Sequence, residues 1–354
     1  MKRSEMNGRH STGIGVVGYG YWGPNLARNF CEAPGAHLVG VADRRADRLQ
    51  LVRRRFPGVR TTEDADELLR SPEVDAIAIA TPPGSHFELA SKALDAGKHV
   101  LVEKPLTTSW AHALTLIHKA ARQSRILLVD HTFLYTGAVR KLLELVGSGV
   151  LGDIYYYDSV RVNLGLFQSD LNVLWDLAVH DLAIIDAFMP SRPLRVSALG
   201  SRHVAGQPEN VAYLTLLYPH RQIAHIHVNW LAPVKVRRTL IGGRDKMVVY
   251  DDVEPSEKLK VYDCAALVTE GPDLEYQLRV SYRQGDVWAP HLDPTEGLQV
   301  EVRHFLDCIR TGARPQTDGW SGFRVVKVLE AAEESMRQNG APVSIDWSHE
   351  EVLV

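Results

Sequence analysis

GIGVVGYGYWGPNLARNF, Gly13 to Phe30, passes from a β-branched apolar run through a glycine loop into an amphipathic run. GIGVVG (13–18) has the length and composition of a buried strand, and NLARNF returns its apolar residues at helical spacing. Between them Gly18-Tyr19-Gly20-Tyr21-Trp22-Gly23 spells GxGxxG, which a chain with 27 glycines can produce by chance. Its setting carries the weight. The loop ends a strand, opens a helix, and an acid, Asp43, closes the following strand about 25 residues on.

That setting gives each residue a task. Gly18 permits the tight turn, Gly20 lets a pyrophosphate approach the backbone, and Gly23 allows close packing of helix on strand. Tyr21 and Trp22 complete the loop, and the helix N-terminus offers free amides to phosphate. Asp43 would accept the adenosine ribose hydroxyls and repel a 2′-phosphate, which favours NAD over NADP. The adjacent Arg44 could neutralise such a phosphate or stack on the adenine.

Outward from this loop the same alternation repeats. Strand candidates HLVGVAD (37–43), VDAIAIAT (74–81), HVLVEK (99–104) and RILLVDH (125–131) are separated by amphipathic stretches such as HFELASKALDAG and AHALTLIHKAARQ. This predicts an α/β Rossmann domain over 12–131, a parallel sheet with helices on both faces. Beyond it the helical run TGAVRKLLELVGSG (136–149) leads into IYYYDSVRVNLG, VSALGSRHV, VAYLTLLY, QIAHIHVNW, VRRTLIGG, DKMVVYDD and KLKVYD, mostly without intervening helices. The expectation for 132–354 is a C-terminal α+β domain around a large, mostly antiparallel open sheet. Late helices within 298–338 should pack back toward the first domain.

The totals narrow the function. At 354 residues two domains are expected, and a formal net charge of -3 offers no electrostatic case for nucleic acid or an anionic membrane. The three cysteines, Cys31, Cys264 and Cys308, are too few and scattered for a disulfide framework or a CxxC metal site. MKRSEMNGRH lacks the apolar core of a signal peptide, and no apolar run approaches a membrane span. A reduced, cytoplasmic protein is expected.

Ligands of parallel sheets bind outside the carboxyl ends of the strands. Three segments end there: Thr81-Pro82-Pro83 with His86 just beyond, Glu103-Lys104-Pro105, and Asp130-His131. Lys104 at the lip of an apolar strand either pairs with Glu103 or faces the nicotinamide end of the cofactor; Thr81, Pro82, His86 and Glu103 are the other cofactor candidates. In LWDLAVHDLAIIDAF (174–188), Asp176 and His180 share one helical face four residues apart. Such a pair can ligate metal, orient a base with a carboxylate, or combine a helix N-cap with a core histidine. No third ligand lies at metal spacing.

GYGYWGPNLARNF, VEKPL and WDLAVHDLAIID together resemble the Gfo/Idh/MocA oxidoreductases, over about residues 13 to 340. The resemblance implies a Rossmann domain joined to a substrate domain whose open sheet mediates homodimers or homotetramers. It puts the family's catalytic lysine on Lys104 and its Asp and His on Asp176 and His180. VDHTFLYTGAVRKL and RVNLGLFQSDLNVLWDLAVHD look most like the branch that dehydrogenates nucleotide-linked sugars, such as UDP-N-acetylglucosamine or its uronate, at C3. One departure is Leu134, where many relatives carry arginine. Tyr135, Arg161, Asn163 and Asn172 are the further candidates for sugar or phosphate contact.

The implied reaction moves a hydride from a secondary alcohol to nicotinamide while a side chain takes the hydroxyl proton. An imidazole, titrating near about 6.5, suits His180 as base; Lys104 could share the oxygen or be the base if its pKa fell to about 7–8. Alternatives are an inositol or aminocyclitol dehydrogenase, a nucleotide-keto-sugar reductase, a redox-assisted glycosidase, and a non-catalytic NAD-binding regulator.

Overall fold

The computed structural model describes residues 11–165, 171–263, 265–268, 280–283 and 285–350. The chain divides into two compact units, one of residues 1–135 and 295–326, the other of 136–294 and 327–354.

In the first unit six strands, β1 (Thr12–Val17), β2 (Ala36–Ala42), β3 (Arg60–Thr62), β4 (Ala76–Ile79), β5 (His99–Glu103) and β6 (Leu127–Asp130), form one sheet in the order β3-β2-β1-β4-β5-β6. Every pairing in it is parallel. Helices α1 (Gly23–Glu32), α2 (Ala46–Arg55), α3 (Ala65–Arg70), α4 (His86–Asp95) and α5 (Trp110–Arg122) make the crossovers. The order reverses between β1 and β4, which opens a crevice at the strand ends where β1 delivers the glycine loop. β4 and β6 are buried along their whole length, as strands covered on both faces must be. The three-residue edge strand β3, in RTTEDADELL, carries too little apolar pattern to be read from sequence.

The second unit contains α6 (Gly137–Gly147), β7 (Ile154–Leu164), α7 (Val179–Phe188), β8 (Arg195–Ser201), β9 (Val211–Leu217), β10 (Ile223–Asn229), β11 (Leu231–Gly243), β12 (Met247–Asp251) and β13 (Leu259–Tyr262). β14 (Ala265–Val268) and β15 (Val280–Arg283) pair separately, and β16 (Val287–Trp288) and β17 (Val343–Ser344) edge the main sheet. Its nine strands run β16-β13-β12-β11-β7-β10-β9-β8-β17, antiparallel except where β7 meets β10. β9 and β10 alternate buried and accessible residues, so one face is packed and the other open.

Two late helices follow, α8 (Gly297–Thr311) and α9 (Gly319–Arg337). α8 belongs to the first unit: Leu298, Val302, Phe305 and Leu306 join the core of β1, β2 and α1, and Phe305 meets Phe30 edge to face at 6.3 Å.

Candidate active site

The first unit presents a dinucleotide cradle. Gly18 has φ +94°, and a Cβ there would lie 2.5 Å from the Ala80 carbonyl; a Cβ on Gly23 would lie 2.0 Å from the Gly18 carbonyl. Both positions therefore demand glycine for the turn and for helix–strand packing. Gly20 differs, since a Cβ there would meet nothing within 4 Å. Its bare backbone faces open space, which is what an approaching pyrophosphate needs. α1 begins with no side-chain cap; Pro24 has no N–H and the Asn25 and Leu26 amides bond the Trp22 carbonyl, so the loop amides ahead of Pro24 are the donors an anion would meet. Asp43 accepts from the Tyr19 amide at 2.6 Å and the Arg45 amide at 2.9 Å. A carboxylate offers about four acceptor sites, leaving capacity for two ribose hydroxyls. Arg45 is engaged by Asp47 through two hydrogen bonds, whereas Arg44 is exposed. Tyr21 is 84% exposed at the loop tip, and the indole of Trp22 turns inward to donate to Asp130.

The strand ends on the far side of the crevice are braced by His86. It is fully buried, with Nδ1 2.8 Å from the Pro105 carbonyl and Nε2 2.8 Å from the Thr81 carbonyl. Burial pulls its pKa down, while the two carbonyls act in the opposite sense. The ring ties the turn after β4 to the turn that carries Glu103 and Lys104. His86 is therefore not a direct cofactor contact, as its place after Thr81-Pro82 suggested, but a clamp that sets where Thr81 and Lys104 stand. Thr81 also bonds Ser85 at 2.7 Å, and Pro82 is exposed at the rim. Lys104 and Glu103 are half-buried at the end of β5.

In the second unit the segment before α7 is a π turn, Leu174–Ala178, a distortion that recurs at functional sites. Its neighbours Trp175, Leu177, Ala178 and Val179 are buried, while Asp176 and His180 keep partial access. Asp176 accepts from the Trp230 indole at 3.0 Å. It is not the helix cap: Asn172 performs that role, its Oδ1 accepting from the Leu174 amide at 3.1 Å and its Nδ2 donating to Glu333 at 2.9 Å. Being 6% exposed and fully engaged, Asn172 is structural and not a sugar contact.

Two more of the sugar-contact expectations are corrected. Arg161 is 2% exposed, on the packed face of β7, with Nε 2.7 Å and Nη2 3.3 Å from the Asp181 carboxylate. Tyr157 and Ser159, on the same face, donate to that carboxylate at 3.2 and 2.7 Å. Burial alone would lower the Arg161 pKa, but the charge and hydrogen bonds of Asp181 raise it, so the guanidinium stays charged. Tyr135 is also buried, its hydroxyl 2.9 Å from Thr317 Oγ1. Asn163, two residues along β7 from Arg161, is half-buried, and its Oδ1 has no hydrogen bond among the described residues. It remains a candidate. Cys264 lies outside the described residues; Cys31 is exposed and Cys308 buried, both as free thiols. Among the described residues no group of three His, Cys, Asp or Glu side chains could hold a metal, and no helix is long and apolar enough to cross a membrane.

Comparison with known proteins decides the family. Residues 12–131 match the model of an oxidoreductase family with an NAD-binding Rossmann fold, and residues 139–249 match the Gfo/Idh/MocA C-terminal domain. The chain belongs to the Gfo/Idh/MocA family. This Gfo/Idh/MocA oxidoreductase uses NAD, for which the Gly18–Gly23 loop and Asp43 are the fitting residues. It is 28% identical, over 88% of its length and 93% of the relative's, to a UDP-N-acetylglucosamine 3-dehydrogenase of Acidithiobacillus ferrooxidans. The solved structure of that enzyme superposes with a TM-score of 0.78 at 25% identity, covering 92% of this chain and 97% of the other. An oxidoreductase structure from Magnetospirillum magnetotacticum is 30% identical with a TM-score of 0.77, covering 90% and 99%. A scyllo-inositol 2-dehydrogenase (NAD(+)) of Bacillus subtilis is 25% identical over 95% of this chain and 97% of its own.

Sequence reasoning missed Asp130 as a loop anchor, Glu301 behind it, and Trp230 as the partner of Asp176. The first is visible in hindsight, an acid ending the wholly apolar strand LLVD; Trp230 carries no comparable signal.

Proposed function

We propose that this oxidoreductase acts on a secondary alcohol of a nucleotide-linked sugar, with C3 as the reacting carbon and NAD(H) in preference to NADP(H). The observation that carries the reading is the near full-length similarity to a UDP-N-acetylglucosamine 3-dehydrogenase, in a chain that keeps Lys104 after β5 and Asp176 and His180 at α7. Asp43, held by the Tyr19 and Arg45 amides with acceptor capacity left for ribose hydroxyls, supports the cofactor preference. A cyclitol substrate is the second reading, supported by the similarity to the inositol dehydrogenase.

Bound in the cradle, NAD supplies the hydride acceptor. The side chains handle the proton. His180 takes it from the substrate hydroxyl as general base, and Lys104 hydrogen-bonds the oxygen as charge develops on it. The carbon–hydrogen bond breaks with its electron pair leaving as hydride, and the same carbon and oxygen gain a double bond. In the reverse direction Lys104 polarises the ketone and His180 returns the proton. Asp176, braced by the Trp230 indole, orients His180 or accepts a sugar hydroxyl.

The reading also includes assembly through the open face of the second unit's sheet, where Leu199, Tyr213, Leu217 and Ile223 are exposed together, and a reduced cytoplasmic setting. The test is a panel of UDP-sugars, free cyclitols and keto-sugars with each nicotinamide cofactor, followed by reduced-nicotinamide absorbance. Turnover of a UDP-hexosamine with NAD⁺ is expected. Turnover confined to free cyclitols would transfer the assignment to the second reading, and no turnover with any alcohol, despite tight NAD binding, would leave a regulator. Lys104→Ala and His180→Ala should each lower turnover about 100-fold with NAD still bound. If both act on one oxygen, the double variant loses less than the product of the two.

A further inference from the structure

Behind the glycine loop the first unit buries two carboxyl groups against each other. Asp130 ends β6 and is 2% exposed; Glu301 lies on α8 and is wholly buried. Asp130 is surrounded by donors: the Trp22 indole donates to Oδ2 at 2.5 Å and the Thr132 hydroxyl to Oδ1. Neither oxygen of Glu301 has a well-formed hydrogen bond among the described residues, and the groups it faces are the Asp130 carboxyl and the Thr132 hydroxyl, which is already given to Asp130.

Two carboxylates cannot both stay ionised in such a site. A proton on Glu301 converts an unmet acceptor into a donor to Asp130. The donors already on Asp130 favour its charged form, so Glu301 is the member that keeps the proton. Burial, followed by the negative charge of Asp130 and the hydrogen bond to it, holds the Glu301 pKa well above the carboxylate range, with the Thr132 hydroxyl acting in the opposite sense. Burial raises Asp130 as well, while hydrogen bonds from Thr132, Trp22 and Glu301 act against that rise. The other titratable neighbours are Glu103, whose charge reinforces the shift on Glu301, and Tyr135, whose own pKa is raised by burial and by Glu301. His131, next to Asp130, is kept neutral by burial and by the charges of Lys104 and Arg324.

We propose that Glu301 is a positioning residue of the cofactor site: protonated, it holds Asp130, and Asp130 holds the indole of Trp22 inside the glycine loop. Trp22 is the N-cap residue of α1, so its placement fixes where the loop amides ahead of Pro24 point. The proposal rests on the loop being the NAD site. Because the folded protein holds this proton more tightly than the unfolded chain, the stabilisation is complete below the ordinary glutamate range and is lost as pH rises through the raised value. Above that value the second charge repels Asp130, the brace on Trp22 slackens, and NAD binding weakens.

The test is NAD(H) affinity as a function of pH without substrate, in wild type, Glu301→Gln and Glu301→Leu. Glutamine keeps a donor toward Asp130 that has no proton to lose. Wild type is expected to bind about fivefold more weakly on the alkaline side of the transition. Glu301→Gln should match wild type near neutrality and show no such decline, and Glu301→Leu should bind weakly throughout. Infrared spectra of wild type should show the carbonyl stretch of a protonated, buried carboxyl at neutral pH, absent from Glu301→Gln. Parallel pH profiles in wild type and Glu301→Gln would overturn the proposal, as would a wild-type spectrum without that band, which is decisive even if a variant fails to fold. A protein that binds no dinucleotide at any pH would instead overturn the reading of the loop.

Discussion

Removing either member of the Arg161–Asp181 pair should unfold the second unit more readily without touching sugar recognition. The pair is all but inaccessible, with side-chain exposures of 3% and 0%. Losing one partner of a buried ion pair costs about 3–5 kcal/mol, because the survivor's charge stays in a dry site. The two losses are unequal. Arg161→Met leaves the carboxylate with donors from Ser159 and Tyr157, which holds the cost near about 3 kcal/mol. Asp181→Leu removes the anion around which Arg161, Ser159 and Tyr157 all converge, and its cost belongs near about 5 kcal/mol. At about 2–4 °C per kcal/mol for a unit of this size, both variants lower Tm by roughly 10 °C, Asp181→Leu by more. The double variant, apolar on both sides, should recover most of the loss, since buried ion pairs are replaceable by packed hydrocarbon. Calorimetry with and without NAD, alongside KM for the sugar, reads all three. An Arg161→Met protein with unchanged Tm and a sharply raised KM would refute this reasoning and return Arg161 to the substrate.

Other consequences separate as cleanly. Gly20→Ala should keep its Tm, there being nothing for the new methyl to strike, yet weaken NAD binding about tenfold by blocking the approach of the pyrophosphate. Gly23→Ala should lose about 1–3 kcal/mol of stability through its contact with the Gly18 carbonyl; equal behaviour of the two variants in both assays would contradict the assignment. Burial, with Arg125 nearby, lowers the His99 pKa to about 4, and burial beside Lys104 lowers His131 to about 3. Unfolded, both take up protons near about 6.5, so stability should fall as pH drops from there through about 4 and on toward about 3. His99→Gln should flatten the upper part of that decline in Tm. On the open sheet face, where Tyr213 stacks on His227 at 4.3 Å, Tyr213→Glu with Leu199→Asp should yield monomers by light scattering; an unchanged mass would place the subunit contact elsewhere.

What the sequence made legible was local. A β-branched run, three glycines and an amphipathic run occupy consecutive positions in the chain, and so do Asp176 and His180, because the turn and the helix that need them are short-range structures. What it concealed depends on partners brought in by the fold from about twenty positions away, beyond the reach of any single turn or helix. Arg161 reads as an exposed cation on an alternating strand until Asp181 arrives on the packed face, and His86 reads as a cofactor contact until the Pro105 carbonyl closes on its other nitrogen. Glu301 is the intermediate case. In LQVEVRHFLDC the apolar stripe runs through Leu298, Val302 and Phe305, and Glu301, three residues from the first and four from the last, falls on that same face. A carboxyl placed by periodicity among core residues must find a cation, a set of donors or a proton. The nearest candidate cation at helical spacing, His304, has its pKa lowered by burial and accepts from the Gln316 amide instead, which leaves the proton as the resource carried by the residue itself. The fold then provides the one thing the pattern could not name, the Asp130 carboxyl that gives the proton somewhere to point.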